Sequence, residues 1–254
     1  MNEDEKLPFT IHLEELRRRL ITSFIAVGIG FAGSYAFKEK LFDILTAPLI
    51  SVMKPGETLI YTNLPEAFFT FLKSALISGL MLASPVIIYQ FWMFIAPGLY
   101  RKEKRMLIPV VILSTLFFVG GSLFGYFIVF PFGFKFFLGF ASETIRPLPS
   151  MKEYLSFSSK LLLAFGLVFE LPLVITFLAK LGVVSVAFLK KNRKYALLLF
   201  FAGAAILTPP DVVTQIMMAL PMMLLYEISI IGARIFGKKK VDQASAPEED
   251  AVPD

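Results

Sequence analysis

The run MLIPVVILSTLFFVGGSLFGYFIVFPFGF, Met106 to Phe134, contains no charged side chain. About 20 such residues in a helix cross the hydrocarbon core of a bilayer, so this stretch alone is long enough to span one. Its neighbours repeat the pattern. Leu20–Phe37, Ser74–Tyr100 and Tyr195–Pro210 also lack charges, Leu161–Ala179 carries only Glu170, and Val212–Ala233 only Glu227. The pattern predicts an all-α membrane protein with six transmembrane helices, at about 20–37, 74–96, 106–130, 161–181, 195–208 and 212–231. These form one polytopic unit over residues 1–234. A basic then acidic cytoplasmic tail, 235–254, has the Ala, Pro, Glu and Asp content of a disordered segment.

Composition excludes the soluble alternatives. Of 254 residues 56% are hydrophobic and 18% charged, with a mean hydropathy of +0.72; ordinary globular domains carry about 25% charged residues. Twenty-eight phenylalanines have no water-free place to go in so small a chain except a bilayer. The absence of cysteine removes disulfides, thiol catalysis and thiolate metal sites. A single histidine argues against a histidine relay or a zinc site. No nucleotide-binding glycine motif is present. No metal, cofactor or nucleic-acid partner is therefore expected, and the chain reads as having no chemistry of its own.

Basic residues set the orientation. Lys6 and Arg17–Arg19 precede span one. Arg101, Lys102, Lys104 and Arg105 follow span two, and Lys190, Lys191, Arg193 and Lys194 follow span four. Arg234 and Lys238–Lys240 follow span six, which makes 16 of the 25 Lys and Arg on one side. Both termini are expected to be cytoplasmic. Arg17–Arg19 are not followed by a small-residue cleavage site, so span one does not read as a cleaved leader. Two longer exterior loops, 38–66 and 131–160, remain. In the first, Leu41–Leu45 suits a short interfacial helix stopped by Pro48 and then Pro55-Gly56. Span five is short, so helices five and six are expected to form a tight hairpin that thins the bilayer locally. Pro85, Pro109, Pro172 and Pro221 predict several kinked helices and a concave face. Gly121-x-x-x-Gly125 permits close helix contact. No inverted repeat is visible, which counts against a secondary transporter.

Three features carry candidate function. Leu13, Leu16 and Leu20 make the segment before span one an amphipathic helix; its Glu14 and Glu15 stand four residues before Arg18 and Arg19, which also reads as ordinary surface pairing. Glu103 is one acid among four bases in the loop after Pro97-Gly98, open to a cationic ligand or to simple charge balance. Glu170 lies in the middle of span four, where a charge costs ~2.5–3.5 kcal/mol on insertion scales and marks a functional site by default. Its alternative is a protonated side chain hydrogen-bonded to a neighbouring helix.

Taken in order, these residues resemble the TatC family, the multispanning subunit of the Sec-independent twin-arginine protein translocase. The resemblance runs from about Thr10 to Arg234. It rests on His12-Leu13-x-Glu15-Leu16-Arg17, Ala47-Pro48-Leu49, and Tyr89-Gln90-x-Trp92-x-Phe94-Ile95-Ala96-Pro97-x-Leu99-Tyr100-x-x-Glu103-x-Arg105. Phe165-Gly166-x-x-Phe169-Glu170-x-Pro172 and Leu207-Thr208-Pro209-Pro210-Asp211 complete it. Glu14 is an extra acid beside the family's position. The resemblance implies a receptor for twin-arginine signal peptides on folded cargo. It would work with TatA- and TatB-like single-span partners, driven by the proton-motive force, as a homo-oligomer within a receptor complex of a bacterial-type cytoplasmic (inner) membrane. It further implies that Glu15 and Glu103 contact the arginines while Arg17 and Phe94 shape the site. Glu170 would be the intramembrane polar site, and Gln215 and Thr208 would help dock partner helices. Pro48, Tyr126 and Asp211 would be functionally sensitive near the outer face. A proton-coupled small-solute transporter using Glu170 is the alternative of another class.

The chemistry suits the first reading. Guanidinium is a planar fork that pairs with both oxygens of a carboxylate, whereas ammonium is a point charge. Six helices of roughly 10 Å diameter in a ring leave a lumen about one helix wide, while a folded 100-residue cargo has a radius of gyration of about 13 Å. The chain is therefore expected to recruit partners to open a path.

Overall fold

The computed structural model describes residues 7–95, 107–142, 144–208 and 211–237. Glu103 with its basic loop, Pro97, Gly98, Pro209, Pro210 and the tail from Lys238 lie outside the described residues. The elements are α1 (Leu7–Tyr35), α2 (Lys38–Ile50), α3 (Leu64–Ile95) and α4 (Leu107–Phe124). A π-helical turn (Gly125–Val129) joins α4 to α5 (Phe130–Leu138). After them come α6 (Met151–Phe169), α7 (Leu171–Leu181), α8 (Val186–Lys191), α9 (Arg193–Leu207) and α10 (Val212–Phe236). Among the described residues no strand forms; a lone parallel bridge joins Ile60 to Ser150.

Four helical stretches are long and apolar enough to cross a membrane: 64–95, 107–138, 151–181 and 212–236. A fifth span is available if α1 and α2, bent 91° at their junction, are taken together. The fifth predicted span corresponds to α9, whose 15 residues rise only ~22 Å, short of a ~30 Å core. The polar segment before the first predicted span is not separate from it, since α1 is one helix that begins at Leu7.

Antiparallel α1 and α3 form the most extensive interhelical contact. They cross at Gly30 and Gly79, where a Cβ on either would overlap the other's backbone. A second close crossing joins α4 to α6, where a Cβ on Gly121 would overlap the Phe165 carbonyl and the Phe169 side chain. Around it Leu155, Phe165, Phe130 and Met218 form the largest buried apolar cluster. Helix starts are capped by side chains: Ser150 accepts from the Glu153 amide at 3.4 Å, and Ser185 from the Phe188 amide at 3.1 Å. Gly182, at φ 81°, closes α7 in the left-handed conformation that favours glycine.

The sequence predicts several proline-kinked helices. Helix α3 is continuous through Pro85 and α10 through Pro221. The clear break falls at Glu170, between α6 and α7, with Pro172 in the first turn beyond it. Nor does Pro48 stop α2, which runs on to Ile50 with Pro48 inside it.

The two long loops predicted to be exterior are clasped by a residue that the motif reading passed over. Glu66, 6% exposed in the first turn of α3, accepts from the Thr62 amide (2.9 Å), the Thr62 hydroxyl (3.0 Å), the Ser150 hydroxyl (2.7 Å) and the Lys152 amide (3.2 Å). The Ile60 amide donates to Pro149 O at 3.0 Å and the Met151 amide to Ile60 O at 2.9 Å, completing the clasp.

Overpacking a tight crossing typically costs about 1–3 kcal/mol. Gly79→Ala is therefore expected to lower the thermal unfolding midpoint in detergent, whereas Gly28→Ala, whose Cβ would meet nothing within 4 Å, leaves it in place. Equal midpoints for the two variants would contradict the Gly30–Gly79 crossing.

Candidate functional site

Polar side chains from different helices meet at several places. At the α1 N-terminal end, Ile11, Glu14, Glu15, Arg18, Arg19 and Thr22 face Gln90 of α3 across an open cleft of about 680 Å³. The α-helical period puts Glu15 and Arg19 on one face, one turn apart. Arg19 folds back so that Nε donates to Glu15 Oε1 at 3.0 Å and Nη2 donates to the same oxygen. Arg19 Nη1 donates to Gln90 Oε1 at 3.3 Å, tying the pair to α3. Glu15 Oε2 looks the other way, 3.8 Å from His12 Nδ1. The His12 ring stacks on Phe94 at 4.3 Å and 20°, so Phe94 of α3 lies beside the α1 acid. Arg17 is exposed and is not one of the residues that line the cleft.

The second centre is inside the bilayer-length part of the fold. Trp92 Nε1 on α3 donates to Ser114 Oγ on α4 at 2.8 Å, and Ser114 donates to Glu170 Oε2 at 2.7 Å. A relay thus crosses three elements and ends on the acid at the α6–α7 break. Trp92 and Ser114 are fully buried; Glu170 is half-buried, and its Oε1 has no hydrogen-bond partner. The break is built by Pro172, which cannot continue the amide ladder. The Glu170 amide closes α6 on Leu167 O at 3.1 Å, and Glu170 O starts α7 by accepting from the Val174 amide at 2.9 Å. The acid is therefore presented at a bend and is satisfied on one oxygen only.

The third centre explains two residues together. In a helix the amide of residue 48 would bond the carbonyl of residue 44, but proline has no amide hydrogen. The Tyr126 hydroxyl, from the π turn, donates to Ile44 O at 2.5 Å instead. Tyr154 of α6 donates to the adjacent Leu45 O at 2.6 Å. Pro48 thus creates an acceptor that Tyr126 satisfies, which joins α2 to the α4–α5 stretch.

Comparison with known proteins gives the family. The family model for the Sec-independent protein translocase protein (TatC) matches residues 11–221. The chain belongs to the TatC family. A TatC from Desulforapulum autotrophicum is 69% identical over 251 residues, covering 98% of this chain and 93% of its own. The Escherichia coli TatC is 39% identical over 236 residues, covering 93% and 92%. A solved structure, the crystal structure of twin arginine translocase receptor TatC, superposes with a TM-score of 0.80 at 45% identity, covering 88% of this chain and 98% of its own.

Within this TatC-family chain, the remaining predicted residues sit at the α9–α10 hairpin. Thr208 ends α9, its hydroxyl donating to Ala204 O at 2.9 Å. Gln215 Nε2 donates to Phe201 O at 3.0 Å, pinning α10 to α9. Asp211 caps α10 by accepting from the Thr214 amide at 2.7 Å and from the Thr214 hydroxyl. The structure therefore brings Glu15 and Phe94 together, Pro48 and Tyr126 together, and Thr208, Asp211 and Gln215 together. Ser114 and Glu66 are partners that the sequence reading missed, and Ser114 carries no periodic or charge signal that could have marked it. The four-residue spacing of Glu15 and Arg19 did mark their pair, which the structure forms.

A hydrogen bond to a backbone carbonyl contributes about 0.5–1.5 kcal/mol net. Tyr126→Phe should destabilise the fold by that amount in a thermal melt. Pro48→Ala supplies the missing amide, so Tyr126→Phe should cost much less in the Pro48→Ala background. Strict additivity of the two substitutions would contradict the link.

Proposed function

We propose that this chain, the receptor subunit of a twin-arginine translocase by family, reads the arginine pair of a signal peptide with Glu15 on α1 and Glu103 in the loop after α3. The observation that carries this is the cleft itself. It opens between α1 and α3 and offers Glu15 beside the stacked His12 and Phe94 rings, with a guanidinium already seated on the carboxylate. A position that holds an internal arginine has the shape and charge for an external one. Arg17 and the other bases around the cleft repel peptides that bring positive charge without a partner for these acids. The apolar part of the peptide would then lie along the concave wall toward Glu170, whose Oε1 is buried and lacks a partner among the described residues.

The rest of the proposal follows the family. Six spans, with α1 and the short α9 among them, place both termini in the cytoplasm of a bacterial-type inner membrane. TatA- and TatB-like single-span proteins dock at the α9–α10 hairpin around Thr208 and Gln215, and several copies assemble in a receptor complex powered by the proton-motive force. Residues 1–234 form the membrane unit, with 235–254 as a cytoplasmic tail. Pro48, Tyr126 and Asp211 hold the outer end in shape. The matched family is a protein translocase and not an enzyme family, so the solute-transporter alternative has no support.

Glu15→Gln keeps the side chain's size but removes its charge. An Arg-Arg peptide should bind this variant about tenfold more weakly in a fluorescence titration with the full chain in lipid nanodiscs. Unchanged affinity would remove Glu15 from the recognition site. Glu170→Ala removes a polar group from an apolar stretch, so the protein should still insert while export of a twin-arginine reporter falls. Normal export would assign Glu170 to packing alone.

A further inference from the structure

We propose that Arg19 is an internal cap on the recognition carboxylate: in the empty receptor it occupies the Glu15 oxygen that a signal-peptide arginine needs, and it is displaced when the peptide binds. This rests on the reading of Glu15 as a recognition residue. Two N–H groups of one guanidinium converge on Glu15 Oε1, leaving only Oε2 toward the cleft's other contents. Fork-to-fork pairing requires both carboxylate oxygens. An incoming guanidinium therefore meets a carboxylate with half its acceptor sites filled.

Gln90 holds the cap in place. Its Oε1 accepts from Arg19 Nη1 at 3.3 Å, so the guanidinium is anchored at once to its own helix and to α3. Both charged partners are largely withdrawn from solvent, with Arg19 20% and Glu15 24% exposed. When a peptide arginine takes Oε1, Arg19 keeps Gln90 as a partner for Nη1, and its freed Nε and Nη2 turn to the open cleft, where water can meet them. When the peptide leaves, Arg19 closes on Glu15 again. The cap keeps an acid in a basic environment neutralised between binding events and makes peptide binding an exchange of one guanidinium for another. Such competition lowers apparent affinity by the fraction of receptor in the open state.

The exchange predicts a signature that a change in general charge does not. An ammonium needs one oxygen and can use Oε2 without displacing Arg19, so capping penalises Arg-Arg peptides more than Lys-Lys peptides. Removing Arg19 merely as a positive charge would instead tighten both peptides alike, with or without the Glu15 charge.

The experiment titrates synthetic signal peptides carrying Arg-Arg or Lys-Lys against the full chain in nanodiscs. Arg19→Gln should tighten the Arg-Arg peptide about fivefold, the upper range for a partly exposed ion pair, and the Lys-Lys peptide less than twofold. Gln90→Leu should give a smaller shift of the same sign. Should Arg19→Gln fail to insert, Arg19→Lys, which keeps the charge but loses the converging pair, should also tighten Arg-Arg binding. In a Glu15→Gln background Arg19→Gln should change nothing. Weaker or unchanged Arg-Arg binding in the Arg19 variants, equal tightening of both peptides, or an Arg19 effect that persists without the Glu15 charge overturns the cap while leaving the recognition site standing. Unchanged Arg-Arg affinity in Glu15→Gln alone overturns the recognition reading and the cap with it.

Discussion

Hydrocarbon offers no hydrogen bonds, so each polar group that this chain carries to membrane depth needs a partner from the chain itself. That constraint organises the fold. The carbonyl freed by Pro48 is met by Tyr126 across two helices. The Ser122 hydroxyl lies within reach of both the Phe118 and Leu162 carbonyls, at 3.0 and 3.1 Å, across the α4–α6 crossing. Glu170 is reached by a hydroxyl that is itself reached by an indole. Each of these contacts joins elements far apart in sequence, so meeting the polar requirement also fixes how the helices pack.

At the α1 N-terminal end the constraint relaxes, and the chemistry changes with it. There the acid is paired with a long charged side chain and not with a buried hydroxyl, and the pairing opens onto a cleft. A carboxylate held by a long, partly exposed arginine can be released by another arginine, whereas Glu66, clasped by two amides and two hydroxyls, has no comparable substitute. The two acids illustrate the difference between a binding group and a structural one: the partners of the first can be exchanged, and those of the second are built into the backbone.

Much of this was legible in the sequence. Charge-free windows located the long helices, and the TatC-like motifs contain Glu15, Phe94, Pro48 and Glu170, whereas Tyr126 entered only through the family resemblance. What the windows missed has physical reasons. Hydropathy detects the lipid-contacting core of a helix, so it placed the first span at Leu20 while the backbone is helical from Leu7. Proline rules describe the lost amide but not a tyrosine that replaces it from elsewhere, so α2 was expected to stop at Pro48 yet reaches Ile50. Ser114 and Gln90 are uncharged and fall in apolar runs, and only the crossing of α3 with α4 and α1 gives them a partner. A hydropathy window likewise does not give the rise of a helix, and α9 has only 15 residues.

The central claim is that the arginine end of a leader docks against the α1–α3 cleft. It is tested most directly by placing a photo-crosslinking side chain next to the arginine pair of a signal peptide and sequencing the adducts formed with the membrane-embedded chain. The account predicts adducts on α1 between Ile11 and Thr22 and on α3 near Gln90 and Phe94. Adducts concentrated at the opposite end, around Thr62, Glu66 and Ser150, would contradict it.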